Sequence, residues 1–292
     1  MKFIKQPKVL RVAGIVIFIA TLLGIIFYFI TAYQNKNKMD DGKMLPILAS
    51  INVRENEKFP LDFCLLTNNG SNLEFLNKEE IFNISTDAEN IFIEEYDISK
   101  STNSKNPYIY SFQTTLIAKG SEPIEIKELI ILTSEKEYKF AVGNIKIQPY
   151  QQSLDPQNEP FNPDNMKIVS NRAASHQLGI GNYNAEYSNQ GTAPAVVKQI
   201  VIDPAFEAFQ PQVYVNGSLI PDPNNINVSI APKENLEVRI KFQKQDSPYD
   251  VFYFAPTIVL KSSTMLRPNY AVSGVLIGGE DIKSLYGKYF KG

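Results

Sequence analysis

The chain is poor in the residue types on which most catalytic and metal sites depend. It contains one cysteine, one histidine and no tryptophan among its 292 residues. A lone cysteine cannot form an intramolecular disulfide, which excludes the disulfide-stapled class of secreted domains. One cysteine and one histidine are also too few for a zinc site. We therefore expect burial of apolar surface to stabilise the fold, and we predict no metal site and no cofactor.

No segment carries the pattern of a known catalytic centre. A Ser-His-Asp arrangement would require His176, and no Gly-x-Ser-x-Gly motif accompanies it. A calcium site formed by Asp155, Glu159 and Asp164 stays open as an alternative, although no Asp-x-Asp-x-Asp-Gly loop is present. A pair of carboxylates from distant segments also stays open, because such a pair needs only spatial proximity. We predict that the protein is not an enzyme and has no catalytic residues.

The net charge of −2 hides an uneven distribution along the chain. Residues 1–43 carry seven basic and two acidic side chains, so the remaining residues together carry a net charge of −7. An acidic surface repels the phosphates of nucleic acids, and no basic stripe interleaved with aromatics opposes this. We therefore predict no nucleic-acid partner.

A long apolar segment lies near the N-terminus. Residues 12–33 are 22 uncharged residues, which as a helix would span roughly 33 Å, the thickness of a bilayer core. A signal peptide would have a shorter apolar region and a small-residue cleavage site, and Ile30-Thr31-Ala32 lacks the first small residue. Four basic residues and no acid precede the run, which favours a cytoplasmic N-terminus. We predict a cytoplasmic stub over 1–11, a retained single-pass anchor over 12–33 and a juxtamembrane linker over 34–43, with the rest outside the cytoplasm.

Most of the remaining chain has the pattern of β-strands. Residues 124–127 and 236–242 alternate between apolar and polar side chains, which is typical of a strand with one buried face. Asn216-Gly217 between apolar flanks predicts a β-hairpin. Residues 151–166 contain three prolines among Asn, Asp and Gln and indicate a linker. The sequence therefore predicts a mainly β protein with two modules, residues 44–150 and residues 167–292.

Two pairs of short segments are similar to each other. Residues 120–131 resemble residues 191–202, each with a Gly three positions before a Pro and an apolar run, and residues 141–147 resemble residues 271–277. We predict that Gly120 and Gly191 occupy equivalent turns of two related modules. Because the apolar pattern of the strand after Gly120 changes parity, we also predict deeper burial or a bulge toward its end.

Turn motifs of the second module carry a resemblance to a known family. They are Tyr187 to Pro194 (YSNQGTAP), Val213 to Gly217 (VYVNG) and Ile230-Ala231-Pro232. These motifs resemble the Ig-like, CARDB-type modules of prokaryotic membrane-anchored surface proteins, and archaeal pilin-like ectodomains are similar. The resemblance implies an Ig-like β-sandwich and a surface location, and it implies no ligand. The chain departs from the pattern between Asp203 and Gln212, where a stretch containing Phe and Pro is inserted.

Three further segments invite specific predictions. Cys64 lies in an apolar strand-like run, so we predict a buried, unpaired thiol. Residues 249–254 predict a strand buried on both faces. Residues 283–291 mix aromatics with three lysines and are either a final strand or packed tail, or a segment that contacts a partner. In the second interpretation the contact residues are Tyr286, Lys288, Tyr289 and Phe290.

These observations favour a role in binding. We predict two tandem Ig-like β-sandwich modules behind one N-terminal transmembrane helix. The protein would serve in the cell membrane as an interaction, adhesion or accessory subunit, with another envelope or surface protein as its partner. One alternative is a pilin-like filament subunit, in which the N-terminal apolar helices bundle into a fibre core. A second alternative is an envelope enzyme with a carboxylate site.

Overall fold

The computed structural model describes most of the chain beyond residue 41. The described residues are 21, 23–26, 42–67, 81–100, 109–134, 137–150, 166–174, 182–243, 247–261, 265–266, 271–274, 285 and 287–290. Strands dominate this set, which confirms a mainly β protein. Residues 21 and 23–26 are helical. Within the described set no helix has both the length and the apolar character needed to cross a membrane, and most of the predicted anchor over 12–33 lies outside that set.

Eight of the described strands come from the N-terminal half. In chain order they are β1 (Gly42–Met44), β2 (Ile47–Arg54), β3 (Lys58–Thr67), β4 (Ile81–Thr86), β5 (Ile91–Lys100), β6 (Ile109–Ala118), β7 (Ile124–Thr133) and β8 (Glu137–Tyr150). Eleven more described strands follow: β9 (Met166–Ala174), β10 (Asn182–Asn189), β11 (Ala195–Val201), β12 (Gln212–Val215), β13 (Ser218–Ile220), β14 (Val228–Ile230), β15 (Asn235–Lys241), β16 (Val251–Phe254), β17 (Thr257–Leu260), β18 (Met265–Leu266) and β19 (Ala271–Gly274).

The first sandwich has the strand order of an immunoglobulin domain. Sheet I has the order β1-β3-β6-β5, and sheet II contains β2-β8-β7-β4. In immunoglobulin letters these are A-B-E-D on one side and G-F-C on the other, with β2 beside G. Strand β2 pairs with β8 in parallel, whereas the other neighbours named here pair antiparallel. The strand order itself therefore establishes an Ig-like sandwich.

Alternation along β3 shows how the sequence builds this core. Phe59, Leu61 and Phe63 are buried between the sheets, whereas Pro60 and Asp62 are exposed on the outer face of sheet I. Successive side chains of a strand point to opposite faces, so one parity enters the core and the other does not.

The predicted irregularity in β7 is a bulge. The pairing of β7 with β8 shifts between Ile126 and Glu128, and the buried parity changes at that point. The backbone N–H groups of Lys127 and Glu128 donate to Asp87 Oδ1 at 3.0 and 3.1 Å. The parity change within residues 124–131 is therefore a consequence of the bulge, and Asp87 satisfies the amides that the bulge presents.

Strand β8, which pairs with β7, requires a glycine opposite this bulge. Gly143 in β8 has φ +105 and lies opposite Ile47 of β2. A Cβ at this position would lie 2.2 Å from the Ile47 carbonyl oxygen and 2.6 Å from its nitrogen. Only glycine permits both this backbone conformation and this close approach.

The second sandwich packs sheet III against sheet IV. Sheet III has the order β13-β12-β15-β10-β9, and sheet IV has the order β14-β11-β17-β18. The predicted hairpin at Asn216-Gly217 connects β12 to β13, and both turn residues have positive φ, as a type I′ turn requires. Met166, which the sequence assigned to the end of the linker, is buried and begins β9.

The stretch between Asp203 and Gln212 forms a short plug in this core. It contains a 3₁₀ helix, Pro204–Phe209, whose N-cap Asp203 accepts a hydrogen bond from the Ala205 N–H. Phe206 and Phe209 of this helix are buried. The insertion that departs from the resembled family therefore supplies aromatic side chains to the second core.

Strand β16 belongs to both sandwiches. It pairs in parallel with β2 in sheet II, and β19 pairs on its other side. Val251 and Tyr253 enter the first core, whereas Phe252 and Phe254 enter the second. The prediction of a strand buried on both faces is confirmed.

Residues from the predicted second module also complete the first sandwich. Strands β16 and β19 extend sheet II, and Leu285 is buried in the first core. Strand pairing thus crosses the predicted division between residues 44–150 and residues 167–292. The reason is that β16 is apolar on both faces. If it belonged to one sandwich alone, its outer face would be exposed to solvent, so it lies between the two cores.

The predicted repeat is wrong. Pro123 and Pro194 do precede strands β7 and β11, as expected. However, β7 continues into its neighbour β8 in the same sheet, whereas β11 continues through the 3₁₀ helix to β12 in the opposite sheet. The second pair of similar segments does not occupy equivalent places in two sandwiches either, because residues 271–274 lie in the same sheet as residues 141–147. Gly and Pro at a turn before a strand are local chemistry that unrelated connections share.

Candidate binding groove on the first sandwich

A groove lies over the three longest strands of sheet I. Pro60 and Asp62 of β3, residues 113–115 of β6 and residues 94–97 of β5 line it, and its volume is about 740 Å³. We call it the acidic groove, because four of its lining side chains are carboxylates: Asp62, Glu94, Glu95 and Asp97. It is a surface depression large enough for a peptide side chain or a short polar ligand.

Strand register brings these residues together from distant parts of the chain. Asp62 pairs with Gln113, which pairs with Asp97, and these three form one row across the sheet. Pro60 and Glu95 flank β6 in the neighbouring row. Neighbouring strands lie about 4.8 Å apart, so the backbones at the two ends of a row are about 10 Å apart.

A bulge in β5 adds a second glutamate to the rim. The pairing of β5 with β6 shifts between Ile93 and Glu95, so Glu94 and Glu95 both reach Lys58. Lys58 Nζ lies 2.8 Å from Glu94 Oε2 and 2.9 Å from Glu95 Oε1. The hydrogen bonds that Lys58 donates to Glu94 and then to Glu95 raise its pKa, so the amine stays protonated. These two glutamates are therefore neutralised in part by one lysine.

The other two carboxylates have no such counterion. Among the described residues neither Asp62 nor Asp97 forms a salt bridge. Although Asp62 lies on the exposed outer face, its partial burial in the groove raises the pKa of its carboxyl, and a hydrogen bond from the Thr114 backbone opposes this rise. The row of Asp62, Gln113 and Asp97 therefore offers carboxylate oxygens and an amide to a ligand that brings positive charge or hydrogen-bond donors.

The backbone of Asp62 is held by a tyrosine from the other sheet. The Tyr253 hydroxyl accepts from the Asp62 N–H and donates to the Asp62 C=O, with 3.1 Å between heavy atoms in each case. At this level β3 has β6 on one side only, because β1 pairs with it over Leu65 to Thr67. Tyr253 thus satisfies the backbone groups on the open edge of β3.

Cys64 lies one row away from Asp62. It is unpaired and partly buried, and it points away from the core face that Phe63 occupies. Burial raises the pKa of its thiol to about 11, the Asp62 charge adds to the rise, and a hydrogen bond with Ser111 opposes it. The predicted burial is thus only partial, because the alternation of β3 places Cys64 on the outer face.

The predicted contact residues of the tail have partners within the chain. Lys288 Nζ lies 2.8 Å from Asp250 Oδ1, and the Tyr289 hydroxyl donates to Asp250 Oδ2. Tyr289 and Phe290 are partly buried against the first core. The described part of this segment is a packed helical tail, not a strand. Tyr286 lies outside the described residues, and contact of this segment with a partner stays a prediction.

The remaining candidate positions from the sequence are the single histidine and the carboxylates of the predicted linker. His176 and the carboxylates of residues 155–164 lie outside the described residues. In the part of the chain that the structure describes, no group of three or more His, Cys, Asp and Glu residues is arranged to hold a metal ion. No residue of the acidic groove was predicted from the sequence. The acidic run over residues 94–97 was the available signal, but its neighbours in the sheet could not be known.

Comparisons with known proteins find only distant similarities to this chain. Neither a protein-family model nor a curated protein sequence matches it. The D00–D0 domain of intimin is 9% identical at a TM-score of 0.23, covering 80% of this chain and 100% of that chain. The sialic-acid-binding region of a Streptococcus sanguinis adhesin is 7% identical at a TM-score of 0.23, covering 82% and 78%. The tandem Ig repeats of Dlar are 7% identical at a TM-score of 0.22, covering 80% and 97%. At such scores these similarities carry no argument about function, and the Ig-like assignment here depends on strand order.

Proposed function

We propose that the chain is a membrane-anchored binding protein whose acidic groove receives a basic segment of another envelope or surface protein. The observation that carries this proposal is the row of Asp62 and Asp97, two carboxylates in a concave surface that form no salt bridge with any described residue. A Lys or Arg side chain of the partner would supply the missing charge and donate to the oxygens of this row. Complementary charge of this kind contributes mainly to association rate and to specificity.

Binding is best tested with charge-matched variants of the full chain in solubilised membranes. We expect Asp62→Asn/Asp97→Asn to reduce the amount of partner captured by at least about tenfold, because two charge contacts at the centre of the groove are lost. The matched control is Glu125→Gln/Glu137→Gln, which removes the same charge from exposed positions on sheet II. Equal capture by wild type and the groove variant would contradict the proposal.

The predicted topology has its own test. Residues 12–33 are apolar and follow a basic flank, so protease added to intact cells should remove the ectodomain and spare the N-terminal stub. A mature N-terminus near Ala32 or Tyr33 would show cleavage and contradict the anchor. Recovery of the chain in fibres sheared from the cell surface would instead favour the filament subunit.

A carboxylate enzyme is the second candidate, and one observation favours it. Asp62 and Asp97 lie on either side of Gln113 in one row of sheet I, and the raised pKa of Asp62 is what a general acid requires. Turnover of an envelope oligosaccharide that both Asp62→Asn and Asp97→Asn abolish would favour this candidate. Binding that survives without any turnover would favour the first.

A further inference from the structure

The C-terminal residues are fastened to the first sandwich by a buried carboxylate. We call residues 285 and 287–290 the strap. Leu285 is 1% exposed within the first core. The Asp250 side chain is only 6% exposed and binds both Lys288 and Tyr289 of the strap. A buried carboxylate is costly unless it is paired and hydrogen-bonded, so these two contacts hold the strap and Asp250 together.

Asp250 in turn fixes the start of β16. It directly precedes Val251, and its N–H donates to the Pro46 carbonyl at 2.9 Å, just ahead of β2. From Val251 to Phe254 the strand then pairs with β2 residue by residue. The strap is thus attached at the point where β16 enters the six-stranded sheet.

Strand β16 also contacts the backbone of Asp62, a residue that lines the acidic groove. Tyr253 lies three residues after Asp250 and is buried, and its hydroxyl holds both backbone polar groups of Asp62. No strap residue lines the groove. Side-chain contacts therefore join Lys288 and Tyr289 to Asp250, the backbone of β16 joins Asp250 to Tyr253, and hydrogen bonds join Tyr253 to Asp62.

We propose that the strap controls the acidic groove from a distance. Fastened, it holds β16 in register and, through the positioning residue Tyr253, fixes the backbone of Asp62. Released, it frees the start of β16, loosens the Tyr253 contact and weakens binding in the groove. This inference depends on the proposed function only where it concerns ligand binding, because the coupling between strap and Asp62 is measurable without a ligand.

Amide hydrogen exchange of the full chain measures this coupling. We expect Tyr253→Phe to raise the exchange rate of the Asp62 amide by about tenfold or more, because that amide loses its acceptor. We expect Lys288→Met/Tyr289→Phe to raise the same rate, although neither residue touches Asp62. The matched control Lys139→Met/Tyr214→Phe removes the same atoms from an exposed ion pair and an exposed hydrogen bond, and should leave Asp62 unchanged. Lys288→Arg with Tyr289 intact keeps the ion pair and should restore the wild-type rate.

The outcomes separate the inference from simple destabilisation. The Val238 amide of β15 lies in the second sandwich and reports global opening. A rise at Asp62 that Val238 does not share supports the proposal. An equal rise at both amides, or an unchanged rate at Asp62 in the strap variant, would overturn it.

Ligand binding is measured separately with an oligo-arginine peptide as the probe. Weaker binding by the strap variant than by its control supports control of the groove. Faster exchange at Asp62 with no binding of the peptide to any variant would refute the proposed function and leave the coupling intact. Peptide affinity equal to wild type despite faster exchange would overturn control of binding by the strap.

Discussion

The two sandwiches fill their cores by different means. The first core consists mainly of aliphatic side chains on alternating strands in immunoglobulin order. The second is centred on aromatic rings, with Phe254 4.9 Å from Phe206 and 5.0 Å from Phe242 between ring centroids, and Phe209 5.4 Å from Phe252. Edge-to-face packing of this kind adds to the energy of apolar burial.

The two sandwiches depend on each other at strand β16. Two of these rings, Phe252 and Phe254, come from β16, and the residues between and before them, Tyr253 and Val251, enter the first core. A strand with period two can serve both cores at once, because its two faces are independent. The cores are different in kind but share one structural element, so damage to β16 should affect both.

The largest effect should come from Phe254→Ala. Removal of a buried ring from the aromatic cluster should lower the free energy of unfolding by about 3–5 kcal/mol. Because β16 is shared, we expect one cooperative transition in urea. Hydrogen exchange at amides of β3 and of β15 monitors the two sandwiches separately. Phe82→Ala is the control, since Phe82 is 71% exposed, and it should change stability by about 0.5 kcal/mol or less. Two transitions, with the first sandwich unaffected, would show that the cores unfold independently.

A change confined to the first sandwich should come next. Gly143→Ala puts a Cβ against the backbone of Ile47 at a position with φ +105. We expect a loss on the order of 3 kcal/mol, because backbone strain and a clash with a paired strand combine. Gly217→Ala is the matched control, since it also has positive φ but meets no atom within 4 Å, and should cost about 1 kcal/mol. Equal losses for the two variants, measured by urea denaturation, would show that the close approach to β2 is unimportant.

A smaller change probes the plug of the second sandwich. Asp203 caps the 3₁₀ helix through the Ala205 N–H at 2.8 Å and accepts from the Ser50 hydroxyl of β2 at 2.9 Å. Asp203→Ala should lower stability by about 0.5–2 kcal/mol, the usual cost of a lost N-cap. Asp222→Ala removes one hydrogen bond in an exposed turn, so thermal melts should show a smaller shift for it. The opposite ranking would argue against Asp203 as a link between the sandwiches.

The smallest effect concerns Cys64 on the outer face of sheet I. Since the pKa of this thiol is about 11 in the folded chain, against about 8.5 for a free thiol, little thiolate exists at neutral pH. We expect slow alkylation at pH 7.5 that speeds up in denaturant. The folded state retains the proton between about pH 8.5 and the raised pKa, so stability should fall as pH rises through that window. Rapid alkylation of the native protein at pH 7.5 would contradict the raised pKa.

Local chemistry determined much of the fold from the sequence alone. Three predicted features are present in the structure, and each follows from residues close together in the sequence. They are the alternating strand within residues 236–242, the turn at Asn216-Gly217 and the strand ending at Phe254 that is buried on both faces. The parity change after Ile126 likewise indicated either deeper burial or a bulge, and the structure has a bulge there. These features depend on side chains a few residues apart, so a sequence contains all the information they require.

Which strands became neighbours depends on the packing of the whole chain. Asp62 and Asp97 share a row because β3 and β5 both pair with β6, and nothing local to either residue specifies that pairing. The same holds for Asp250 and Tyr289, which meet although 39 positions separate them. The apparent repeat misled for the converse reason, since similar turns occur in different connections. Turn and strand propensities are local, whereas sheet order is set by how all the apolar faces are covered at once.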